Sequence, residues 1–210
     1  MKKYKYYYFD FDGTLGDSLP GLIKPFQVAF ATEGISLNED DVRALTHMAF
    51  IQMCEKFNIP DEKRIYELYK IMNAEMFKEE EIAKVTFFPE VKDILTKLKK
   101  EGVHVAIVSG NHSDYIHKVL LAHDLDDFFD FVVGGNTVSK PKPFADPLLK
   151  AIELSGNPSK DECIYIGDSL QDVECAKNAQ VDGVLLDRRN EYLEYKDKKI
   201  KSLEEIFDEQ

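Results

Sequence analysis

The chain has no apolar run near the roughly 20 residues that cross a bilayer, so no membrane partner is expected. Tyrosines and acids follow Met1-Lys2-Lys3-Tyr4-Lys5, where a secretory signal would have an apolar segment and a small-residue cleavage site. Cysteine is scarce. Cys54, Cys163 and Cys175 are odd in number, widely scattered and without metal-ligand spacing, which argues against a disulfide framework. Together these shortages predict a cytoplasmic protein. Positive charge is also short: 27 Lys and Arg against 39 Asp and Glu give 27 − 39 = −12. Phosphate backbones are bound by clustered Lys and Arg, so nucleic acid is not an expected partner. Internal repeats, low-complexity tracts and Pro/Ser-rich linkers are absent, and 210 residues suit one domain or a core with a small insertion.

Two carboxylates one residue apart dominate what is present. Asp10-Phe11-Asp12-Gly13-Thr14 follows a mostly aromatic, strand-like run from Tyr4 to Phe9. Residues i and i+2 of a strand point the same way, so Asp10 and Asp12 face one small volume if the chain stays extended. Anions held that close raise each other's pKa unless a cation or shared proton stabilises them. An attacking carboxylate beside a proton carrier fits that arrangement. So does a hairpin turn, since Asp-Gly is a common turn pair.

From residue 86 onward, short apolar runs alternate with amphipathic segments. Helical spacing covers 91–100, 115–122, 147–154 and 173–179, with strands at 103–108, 163–166 and 184–186. A further strand or strand end is expected near 128–133, and a closing helix over 200–207. The fold class read from this is α/β, a Rossmann-like parallel-sheet core flanked by helices. Residues 15–84 break the pattern. They hold no convincing β run, only helical stretches near 22–31, 39–45, 50–57 and 62–84, with a capping box at Ser36-Leu37-Asn38-Glu39 and a kinking Pro25. The expectation is a core of 1–14 and 85–210 carrying an all-helical cap at 15–84, hinged by its short connections.

Four polar clusters lie at strand ends, where open α/β sheets bind ligands. The first is Asp10–Thr14. Ser109-Gly110-Asn111 follows the second strand and offers an anion site at a helix start, or an ordinary cap with Asp114 three residues beyond Asn111. Lys140-Pro141-Lys142-Pro143 is either a rigid linker or a means of fixing where a lysine projects. Gly167-Asp168-Ser169-Leu170-Gln171-Asp172 contains a capping box, Ser169 to Asp172, which leaves Asp168 unexplained; its oxygen-only donors suit Mg²⁺.

In order and position, these clusters resemble the four motifs of the haloacid dehalogenase superfamily of phosphatases, of the phosphoglycolate phosphatase/β-phosphoglucomutase-like kind, across nearly the whole chain. Phe88-Pro89-Glu90-Val91 is similar to the point where that family's cap returns to its core. The resemblance implies a nucleophile, Asp10, that becomes an aspartyl phosphate, and an acid–base residue, Asp12. It implies phosphoryl grip by Ser109, Gly110 and Asn111, and charge neutralisation by Lys140. Mg²⁺ would be held by Asp10, the backbone carbonyl of Asp12, and Asp168, with Asp172 orienting the metal waters or Lys140. Two departures concern the lysine motif: the usual acidic residue is delayed to Asp146 by Phe144-Ala145, and Asn136 stands where an acid is common. In the cap, Arg43, Thr46 and His47 are candidate specificity residues. The function implied is Mg²⁺-dependent hydrolysis of a small phosphomonoester, phosphoglycolate-like or a sugar phosphate, by a monomer or weak homodimer. A β-phosphoglucomutase-like phosphomutase, a pyrophosphatase and a catalytically silent binding protein are the alternatives.

Overall fold

The computed structural model describes residues 4–46 and 48–207. It divides into two compact units: the chain up to Gly16 with the chain from Phe87 onward, and Asp17–Thr86 between them. The change of unit falls two residues later, at each crossing, than the 15–84 boundary read from sequence.

In chain order the strands are β1 (Tyr6–Phe9), β2 (Gly16–Asp17), β3 (Thr86–Phe87) and β4 (His104–Val108). They continue with β5 (Val132–Val133), β6 (Cys163–Gly167), β7 (Asp182–Leu186) and β8 (Lys199–Ile200). The main sheet runs β5-β4-β1-β6-β7-β8, and every neighbouring pair is parallel. Tyr8 of β1 stands opposite Ala106 on one side and Tyr165 on the other. A strand covered on both faces is apolar throughout, and Tyr7, Tyr8 and Phe9 are each at most 1% exposed. The bulk of these aromatics is tolerated because polar tips find partners. The Tyr8 hydroxyl donates to Ser155 Oγ at 2.9 Å, and that of Tyr4 to Asp182 Oδ2 at 2.8 Å.

The Asp17–Thr86 unit is built from α1 (Leu19–Ala31), α2 (Glu39–Leu45), α3 (Phe50–Lys56), α4 (Glu62–Met76) and α5 (Glu79–Ile82). The sheet is flanked by α6 (Val91–Glu101), α7 (Ser113–Ala122), α8 (Asp146–Leu154) and α9 (Leu170–Ala179). Val91, Ile94, Leu95 and Leu98 form the buried stripe of α6, as their spacing requires. The connection leaving β1 goes to β4 and the one leaving β6 goes to β7, on opposite sides. That divergence opens a crevice between the carboxyl ends of β1 and β6, the usual ligand position in such sheets.

Some local expectations shift. The helix read over 62–84 is two, because Lys78 is extended and Glu79, Glu80 and Glu81 start a new N-terminus favoured by the helix dipole. The box before α2 is Asn38 with Asp41, not Ser36 with Glu39. Helix α1 runs through Pro25, with Pro20 in its first turn. The closing segment 200–207 is not a single α-helix. Ile200 ends β8, pairing with Leu186, and a 3₁₀ turn covers Leu203–Phe207. Two-residue strands β2 and β3 form a separate ribbon holding the crossing points.

Gly102 ends α6 with φ 68°, and no heavy atom lies within 4 Å of a Cβ built there. Gly102→Ala should therefore cost only backbone strain, about 1 kcal/mol, measurable by urea unfolding; unchanged stability would contradict this account.

Candidate active site

Asp10 continues β1 by one residue, its N–H donating to Ile166 O at 2.8 Å. This backbone bond fixes the carboxylate in the β1/β6 crevice, where it is buried. Beyond it the chain turns tightly. The N–H groups of Thr14, Leu15 and Gly16 all point to Phe11 O, and Gly13 N–H donates to Gly16 O at 2.8 Å. Gly13 has φ 75°, and a Cβ there would lie 1.9 Å from Asp168 Oδ2. Glycine is required both by conformation and by close approach. The turn suggested by Asp12-Gly13 thus exists, and it is the turn that carries Asp12.

Ser109 and Asn111 meet Asp12 from the end of β4. Ser109 Oγ and Asn111 Nδ2 each lie 3.4 Å from Asp12 Oδ2, and Asn111 N–H donates to Ser109 Oγ at 3.1 Å. Asn111 is not the cap of α7; His112 holds that position, accepting from Asp114 N–H. Gly110 is exposed, and a Cβ on it would stand 4.0 Å from Lys142 Cε.

The lysine that enters the crevice is Lys142, where the sequence reading named Lys140. Lys142 Nζ is 2.8 Å from Asp10 Oδ1 and 2.6 Å from Asp172 Oδ1. Lys140 is exposed, with its ammonium 5.5 Å from the Phe144 ring centroid. The missed signal was the distance to the acid: counted from Lys142, Asp146 comes four residues on and no insertion is needed.

In the first turn of α9, just beyond β6, Asp172 performs two tasks at once. The capping box is real: Ser169 N–H and Oγ reach Asp172 Oδ2 at 3.0 and 2.6 Å, and Asp172 N–H returns to Ser169 Oγ. Its other oxygen holds Lys142. The hydroxyl of fully buried Tyr165 lies 2.9 Å from that same Oδ1 and 2.7 Å from Val108 O. In the sequence, Tyr165 reads only as a strand residue.

Among the described residues, Asp10, Asp168 and Asp172 offer oxygens all within 4.8 Å of one another. Four donors already converge on Asp172, so Asp10 and Asp168 are the freer pair. An all-oxygen carboxylate set fits a hard cation such as Mg²⁺. Burial pushes Asp10 up to about 7 against the pull of Lys142, with Asp172 and Asp12 adding repulsion. Burial also raises Asp168, and Asp10 and Asp172 raise it further. Burial opposes charge on Asp172 too, yet Lys142, Ser169 and Tyr165 hold it below the usual range. Charge on Asp10 and Asp168 is therefore undercompensated by protein groups alone, which is the condition a divalent cation would relieve.

A sequence profile of the haloacid dehalogenase-like hydrolases matches residues 7–186. The chain belongs to this family. Phosphoglycolate phosphatase of Escherichia coli strain K12 is 30% identical over 195 residues, covering 81% of this chain and 76% of the relative. A protein of Caldanaerobacter subterraneus subsp. tengcongensis, provisionally named pyrophosphatase PpaX, is 29% identical over 177 residues, 84% of this chain and 78% of its own. The crystal structure of a Bacteroides fragilis protein, provisionally described as a haloacid dehalogenase-like hydrolase, superposes with a TM-score of 0.87 at 29% identity. It covers 97% of this chain and 100% of that one. Family membership agrees with the parallel sheet and with the order of the four clusters along it.

The cap candidates lie in the Asp17–Thr86 unit. Arg43 pairs with Glu39 at 3.0 Å, and the Thr46 hydroxyl donates to Arg43 O at 2.8 Å. His47 lies outside the described residues.

A carboxyl group raised by burial binds protons in the folded chain that it releases on unfolding, so it subtracts stability as pH rises from its ordinary value through its folded one. Asp168→Asn should accordingly raise the thermal midpoint in EDTA at pH 8, with a smaller gain at pH 5. Equal gains at both pH values would rule out a titrating Asp168 as the cause.

Proposed function

We propose that this chain hydrolyses a small phosphomonoester, phosphoglycolate-like or a sugar phosphate, through a covalent phosphoenzyme on Asp10. The observation that carries the reading is Asp10 itself: a buried carboxylate at a strand end, touching one buried ammonium, with a second acid on the following turn. The relatives named as phosphatases support the substrate class.

In this reading an Asp10 oxygen attacks phosphorus and the bond to the leaving oxygen breaks. Asp12 gives that oxygen its proton, then takes one from the water that attacks the phosphoenzyme, releasing phosphate and restoring the Asp10 carboxylate. Ser109, Asn111 and nearby N–H groups hold the phosphoryl oxygens. Lys142, oriented by Asp172, offsets charge on Asp10 and on the phosphoryl group. Mg²⁺, held by Asp10 and Asp168 with the Asp12 carbonyl, would supply further charge neutralisation and orientation. Opposite charges at ~4 Å gain only about 1 kcal/mol in water but several times that where water is excluded. This is how an acidic protein would bind an anion. Pyrophosphate is the second candidate substrate, favoured by the likeness to the relative named a pyrophosphatase.

The first test is phosphate release from phosphoglycolate, sugar phosphates, nucleotides and pyrophosphate, with Mg²⁺ and with EDTA. Mg²⁺-dependent turnover of one or two is expected, and no release from any would overturn the reading. Asp10→Asn should abolish turnover in a folded protein, and Asp12→Ala should slow it by about 10²- to 10⁴-fold. Lys142→Met should disable the enzyme while Lys140→Met leaves most activity; the reverse pattern would restore Lys140 to the site.

Binding of a cation to Asp10 must displace protons below about pH 7. Calorimetric Mg²⁺ titrations should therefore give tighter apparent binding at pH 8 than at pH 6. A pH-independent affinity would exclude Asp10 as a ligand.

A further inference from the structure

Asp10 and Asp12 are held by different means. Asp10 belongs to the sheet through its bond to Ile166 O and is also gripped by Lys142. Asp12 stands past the strand end, on the turn, so its position depends on how firmly the far side of that turn is fixed. Thr14 O is the acceptor there, and its partner comes from the other end of the chain: Arg188 Nη2, at 2.9 Å. The same guanidinium places Nη1 2.5 Å from Glu90 Oε1 and lies 3.8 Å from the Phe88 ring centroid. Arg188 and Glu90 side chains are 17% and 12% exposed, so water competes little for this contact.

The base of the contact is rigid. Arg188 is the second residue past β7, and its neighbour Asp187, 2% exposed, accepts from Glu191 N–H at 2.7 Å and Tyr192 N–H at 3.1 Å. Lys199 Nζ lies 3.2 Å from Asp187 Oδ2, and Asp187 N–H donates to Ile200 O. Glu90 and Phe88 precede α6, and Phe88 N–H donates to Leu15 O at 3.1 Å. One planar, forked cation thus ties the outgoing end of the turn to the segment that starts α6. A lysine could not reproduce that fork and stack together.

We infer that Arg188 is a positioning residue, holding the Asp12–Thr14 turn so that Asp12 can transfer a proton to the leaving group. The inference rests on the proposed hydrolysis through Asp10 and Asp12. Its signature is selectivity by leaving group. An alkoxide needs a proton as it departs, whereas a carboxylate leaving from an acyl phosphate does not. The parameter to read is kcat/KM, which covers the steps through leaving-group departure and omits the later attack of water.

The experiment compares phosphoglycolate with acetyl phosphate, similar in size, for wild type, Arg188→Met, Arg188→Lys and Glu90→Gln. For Arg188→Met, kcat/KM should fall about 100-fold on phosphoglycolate and stay within about fivefold on acetyl phosphate. Arg188→Lys and Glu90→Gln should show the same selectivity in weaker form, and they carry the comparison if Arg188→Met does not fold by circular dichroism. Equal losses on both substrates would mean general damage to the fold, and no loss on either would mean an idle ion pair. Either result overturns the inference. If wild type does not turn over phosphoglycolate, the phosphomonoester it does hydrolyse takes that place in the comparison; wild type inactive on every phosphate compound tried would instead overturn the hydrolase reading, and with it this role.

Discussion

Three carboxylates and one ammonium share the buried crevice at the ends of β1 and β6, and the local architecture serves that imbalance. Lys142 bridges Asp10 and Asp172, and Ser169 with Tyr165 completes the shell of Asp172. For Asp168, the Lys142 charge only partly offsets burial and the repulsion of Asp10 and Asp172. Removing one member of a buried ion cluster leaves an uncompensated charge, which is far costlier than the net worth of the pair. The lysine is thus necessary but insufficient, and the electrostatics favour an incoming cation. The net charge of −12 is no obstacle, because fields from exposed groups are screened beyond about 8–10 Å.

Much of this was legible in the chain. Polar pairs directly following apolar runs marked where strands end, and a parallel sheet brings such ends to one edge. Asp10, Asp12, Ser109, Asn111, Asp168 and Asp172 were all visible by that rule. Asp172 also shows that one carboxylate can both cap a helix and hold a buried lysine, so the capping box at Ser169–Asp172 does not compete with a further task for Asp172.

What was illegible had physical reasons. Lys140 and Lys142 have nearly identical local surroundings, each followed by proline, and only a tertiary contact or the spacing to Asp146 separates them. Tyr165 reads as an apolar strand residue because its ring is one; its hydroxyl acts across the sheet on groups far away in sequence. Arg188 lies far along the chain from the turn it holds, beyond the reach of any periodicity. The 62–84 helix was overextended because its apolar spacing persists through Phe77, while the break depends on the backbone of Lys78.

The chain leaves the sheet unit after Gly16 and re-enters at Phe87, and Leu15 O and Phe88 N–H are joined by one hydrogen bond of 3.1 Å. To the core, everything between is a loop whose two ends are already closed. Closure entropy grows only with the logarithm of loop length, so the length of the intervening segment hardly affects the stability of what it interrupts. The helices of Asp17–Thr86 are therefore free to diverge, lengthen or be exchanged for another insert while the carboxylate crevice keeps its geometry. The two units can change at separate rates within one polypeptide.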